Sequence, residues 1–172
     1  MIPGLEGILE RNLAAFILTA TRAGGVLAAA PMFGSLNVPP MVKTGLAAGL
    51  GLLLLPTAGM PPPMIGPAAA AIALGREFMV GALLGLSAYF LFSAAQLAGQ
   101  VVDIQMGFGI VNVIDPVTSA QVSVMGQFQF LVATMAFLAV DGPNLILAGL
   151  GESFRYAPLG GAALPAGGLD AL

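Results

Sequence analysis

This sequence has no cysteine, no histidine and no tryptophan. Lacking cysteine, it can form no disulfide, thiolate nucleophile or sulfur-bound zinc site. Lacking histidine, it is without the commonest general base and metal ligand. Charge is scarce as well: five basic and eight acidic side chains make up 8% of the 172 residues, against about 25% in soluble domains. So few charges cannot clothe a globule of this size in a solvated surface. A net charge of −3 offers no basic face to a nucleic acid. Apolar residues, in contrast, make up 58% of the chain, and the composition implies an integral membrane protein. A serine or zinc intramembrane protease would need the missing histidine. No catalytic residue, cofactor or metal is expected.

Read in order, the chain opens with a short amphipathic lead, Ile2 to Glu10. A first apolar helix follows from Asn12 to Ala30. Glu6 and Glu10 precede its apolar run and Arg22 interrupts it, so a retained helix is expected rather than a cleaved signal. A lone arginine at a membrane helix centre costs about 2.5–3.5 kcal/mol, so Arg22 must face protein, water or a headgroup. Residues 31–40 form a loop. Met41 to Leu55 reads as a second helix, and Pro56 to Pro67 as a linker. Gly45 and Gly49 share one face, as do Gly81 and Gly85, and each pair would let another helix approach closely.

Ala68 to Gly75 begins a third helical region. Phe78 to Val102 carries no charge and would extend roughly 37 Å, enough to cross a bilayer core of about 30 Å. Ser93, Gln96, Gln100 and Asp103 recur at spacings of three and four, a polar stripe expected to face protein or water. The next stretch contains Gln105, Met106, Gly107, Phe108, Gly109, Ile110, Val111, Asp115 and Pro116. Its glycines and proline oppose a continuous helix, yet it is apolar. Broken backbone at membrane depth survives only inside protein or against a watery cavity. Composition alone fits both a re-entrant pore loop and a tight turn outside the membrane. Asp115 suits an N-cap and Pro116 the first turn of a helix to Val140. Asn144 to Phe154 forms a shorter helix, and residues 158–172 a flexible tail. The whole is expected to be one all-α membrane domain of helical hairpins with a broken, plug-like loop between two long helices.

Five blocks carry a resemblance: TRAGGVLAAAPMFGSLNVPPMVKTGLA (21–47), LGREFMVGALLGL (74–86), AAQLAGQVVDIQMGFGIVNVIDPVTSAQVSVMGQF (94–128), FLAVDGPNLILAGLGESF (137–154) and Pro158. In this order they resemble the FliR family of flagellar protein-export gate subunits. Pro143 departs from the family, which usually has histidine there. Family members usually continue with further apolar helices, so the chain is expected to be the N-terminal portion of a longer one. The resemblance implies a noncatalytic, pore-forming subunit in the bacterial inner membrane at the flagellar basal body. It also implies partnership with FliP-like and FliQ-like subunits, further export-apparatus membrane proteins, lipid and unfolded flagellar substrates. The segment matching Gln105 to Gln121 would be the plug of the channel. Two alternatives stand beside this reading: the equivalent subunit of a virulence type III secretion system, and an autonomous secondary transporter. The transporter should show paired repeats, and none is visible.

Overall fold

The computed structural model describes residues 5–31, 38–62, 66–107 and 123–160. The described secondary structure is entirely helical: α1 Leu5–Ala29, α2 Pro40–Ala58, α3 Pro67–Gln105, α4 Val124–Ala139 and α5 Gly142–Tyr156. Glu10–Ala29 of α1, all of α2 and all of α3 are long and apolar enough to cross a membrane, and α4 and α5 form a pair bent by 66°. The all-α, membrane-type architecture therefore holds.

Several boundaries differ from the sequence reading, each for a local reason. The amphipathic lead and first helix are one element, since α1 runs unbroken from Leu5. Helix α2 takes in Pro56 and ends at Gly59, whose φ is 74°; a proline in the last turn removes one backbone donor without breaking the helix. The third region and the uncharged run are one 39-residue helix. At 1.5 Å per residue α3 extends roughly 58 Å, far more than a bilayer core requires. The described helix α4 begins at Val124: Ser123 is its N-cap, and its side chain accepts from the Gly126 N–H at 2.8 Å. Asp115 and Pro116 lie outside the described residues.

The chain divides into two compact units, Met1–Leu86 with Ile146–Leu172, and Ser87–Leu145. In the first, α1 is central. Ala15, Leu18, Ala23 and Val26 join Ala58, Ala73, Leu150, Phe154 and Leu159 in one buried cluster. Lipid gives no hydrophobic drive for helices to associate, so close packing and hydrogen bonds must hold them. Both are present. A Cβ on Gly51 of α2 would come 2.8 Å from Ala20 of α1. Beside it the buried Thr19 hydroxyl lies 3.1 Å from the Gly51 carbonyl. On α3, a Cβ at Gly81 would land on the Arg22 carbonyl of α1, and one at Gly85 on that of Val26.

In the second unit, Phe92 of α3 is 4% exposed and packs on two rings of α4. Its centroid is 5.7 Å from Phe130 and 5.3 Å from Phe137. The large side chains Phe128, Leu131, Val132 and Met135 of α4 are exposed, as expected of a surface meant for lipid or another protein.

Candidate functional site

Two buried polar arrangements stand out, one in each unit. The first is built around Arg22, in the C-terminal half of α1. Its side chain is 0% exposed and that of Glu77 on α3 is 1% exposed. Glu77 Oε2 accepts from Arg22 Nε and lies 2.6 Å from Nη2 as well. The two terminal nitrogens have further partners: Nη1 donates to Ser153 Oγ at 3.0 Å and Nη2 to the Ala157 carbonyl at 2.7 Å. The Phe154 ring stacks 4.3 Å from the guanidinium carbon. Glu77 Oε1 accepts the Gly160 N–H at 3.1 Å. Helices α1, α3, α5 and the turn after α5 thus meet at one ion pair.

Chemically this arrangement is closed. Among the described residues no buried side-chain nitrogen or oxygen lacks a partner. Glu77 follows Arg76 in sequence but pairs with Arg22, 55 residues away. A signal was available: two charges in separate apolar helices at membrane depth are expected to pair.

The second arrangement joins the end of α3 to the start of α4. Asp103 is 6% exposed, and its carboxylate oxygens lie 3.2 and 3.3 Å from the Met125 N–H. One turn back, a Cβ on Gly99 would come 2.5 Å from Gly126 Cα, so the two backbones touch. Helix α3 then ends with Met106 N–H donating to the Val102 carbonyl at 2.9 Å, and Gly107 turns out of it at φ 79°.

The remaining candidates are distributed as follows. Of the polar stripe, Asp103 is buried, Ser93 half-buried, and Gln96 and Gln100 exposed. Gln105 closes α3, with Met106 and Gly107 in the turn beyond it. Phe108, Gly109, Ile110 and Val111 lie, like Asp115 and Pro116, outside the described residues. Gly81 and Gly85 stand against α1, whereas nothing lies within 4 Å of a Cβ on Gly45 or Gly49. The glycine by which α2 meets α1 is Gly51, which spacing alone did not single out.

Apolar helices of membrane length whose buried charges are paired or capped define a helical integral membrane protein. The chain belongs to the family described as Bacterial export proteins, family 1, whose model matches residues 13–171. It is similar to the flagellar biosynthetic protein FliR of Bacillus subtilis (strain 168), 38% identical over 142 residues, covering 83% of this chain and 55% of the relative. The protein of that name from Escherichia coli (strain K12) is 27% identical over 143 residues, 81% of this chain and 54% of the relative. That from Aquifex aeolicus (strain VF5) is 28% identical over 152 residues, 88% and 58%. The chain spans about half the length of the curated relatives it matches. Family and helices together place it in the bacterial inner membrane.

Proposed function

We propose that the chain is a noncatalytic subunit of the flagellar protein-export apparatus, acting at the basal body and helping to build the channel for unfolded flagellar proteins. The observation that carries this reading is the family match over residues 13–171, together with relatives named for flagellar biosynthesis. FliP-like and FliQ-like subunits are the proposed partners. Exposed Gly45 and Gly49 on α2 would let a partner helix approach closely. The segment that starts at Gln105, Met106 and Gly107 and continues to Pro116 is proposed as the plug. The exposed Gln96 and Gln100 are proposed to face the water-filled side.

Native mass spectrometry of the full-length protein, gently extracted from its own membranes, tests the assembly. A complex holding this chain with several copies of other small membrane proteins is expected. A monomer or homodimer that binds a small solute would overturn it. Deleting Met106 to Ile110 tests the plug, with increased ion leakage through an otherwise normal complex as the expected outcome. Unchanged leakage would remove that role.

A further inference from the structure

Asp103 is in an unfavourable place for a carboxylate on its own helix. It stands in the last turn of α3, where the partial negative charge of the C-terminus disfavours an anion. No lysine or arginine occurs between Arg76 and Arg155, so the Ser87–Leu145 unit supplies no cation. Burial of an unpaired carboxylate is costly, yet Asp103 is 6% exposed. What compensates it is the start of the next helix. Both oxygens face the Met125 N–H, where the helix terminus is partially positive and its backbone donors lack internal partners. Ser123 already serves the neighbouring donor at Gly126. The first turn of α4 is therefore capped twice, once by its own Ser123 and once by α3.

We propose that Asp103 is a positioning residue: a cap supplied by α3 that fixes the first turn of α4 against it and holds together the two ends of the 104–122 segment. The Gly99–Gly126 backbone contact makes the reach possible, since any larger residue there would push α4 away from the carboxylate. The clamp rests on this geometry alone. Its consequence for transport rests on the plug reading above: the clamp ties the α3 and α4 residues that flank the proposed plug.

Hydrogen exchange read by mass spectrometry, on the full-length protein in its native complex, tests the clamp. In Asp103→Ala, exchange at Met125 is expected to speed up by roughly five- to tenfold, the size of a lost cap. Asp103→Asn keeps an acceptor oxygen and should remain close to wild type. Leu97→Ala, on an exposed position of α3, should leave Met125 exchange at the wild-type rate. If the alanine variant fails to assemble, Asp103→Leu, of similar size and without an acceptor, gives the same comparison. Wild-type exchange at Met125 in the variant without an acceptor would overturn the clamp. Ion leakage in the same preparations should rise for Asp103→Ala and not for Asp103→Asn; equal, wild-type leakage in both would overturn its role in transport. The Met106–Ile110 deletion separates the two ideas, because its leakage reports on the plug and Met125 exchange on the clamp.

Discussion

Arg22 and Glu77, 55 residues apart in sequence, form an ion pair at 2.6 Å with neither side chain in contact with solvent. Breaking such a pair strands a charge in a low-dielectric core, at about 3–5 kcal/mol. Arg22→Ala and Glu77→Ala should each sharply lower the thermal midpoint of the detergent-solubilised protein. Replacing both by apolar residues of similar size, Arg22→Met with Glu77→Leu, should recover most of the loss. A double variant as unstable as the singles would show that the charges themselves are needed.

The three packed helices give a graded series at single glycines. Gly81→Ala would drive a methyl group into the Arg22 backbone, and overpacking of this kind costs about 1–3 kcal/mol. Gly51→Ala should behave similarly against Ala20. At Gly45 there is open space, and alanine should stabilise the isolated chain by up to about 1 kcal/mol through helix propensity. If the Gly45 face receives a partner helix, the same substitution should lower the yield of assembled complex. Comparing melting with assembly yield distinguishes folding from association.

In the other unit, Phe92 is the side chain to remove. It is buried between Phe130 and Phe137, and truncating a buried phenylalanine costs about 3–5 kcal/mol. Phe92→Ala should make α3 and α4 susceptible to limited proteolysis, while Phe90→Ala, on an exposed position, should not. Equal cleavage of the two variants would count against the packing described.

Asp141 separates α4 from α5 at φ 58°, a conformation that asparagine tolerates and most residues do not. Its carboxylate accepts from Asn144 Nδ2 at 2.9–3.0 Å. Asp141→Asn should leave the melting midpoint close to wild type, whereas Asp141→Val should destabilise by about 1–3 kcal/mol. Circular dichroism melts of the two variants decide the matter.

Helical class and membrane placement were legible in the sequence, because scarcity of charge and long apolar runs are properties of composition. Partners and boundaries were less so. Arg22 demanded a buried or watery environment, but spacing within α1 cannot name a glutamate on another helix. Small residues four apart occur at Gly45 and Gly49, at Ala47 and Gly51 and at Gly81 and Gly85. Only the helix crossing determines which of them meets a backbone. Asp115-Pro116 is the stronger start signal on paper. Ser123 is the N-cap of α4 in the structure, where Asp103 of α3 also meets the Met125 N–H. That contact depends on α3 and could not be read from the local sequence.

The ion pair also has a consequence for biosynthesis. A ribosome adding about 5–20 residues per second completes Arg22 about 3–11 s before Glu77, given their separation of 55 residues. Ser153 and Ala157, the other acceptors, come later still. In that interval the nascent first helix carries a bare cation that lipid disfavours. As an independent span it carries an insertion cost of about 2.5–3.5 kcal/mol, which the later pairing offsets. The ion pair thus links the membrane cost of α1 to the arrival of α3: what the first helix gives up in lipid it regains only on packing.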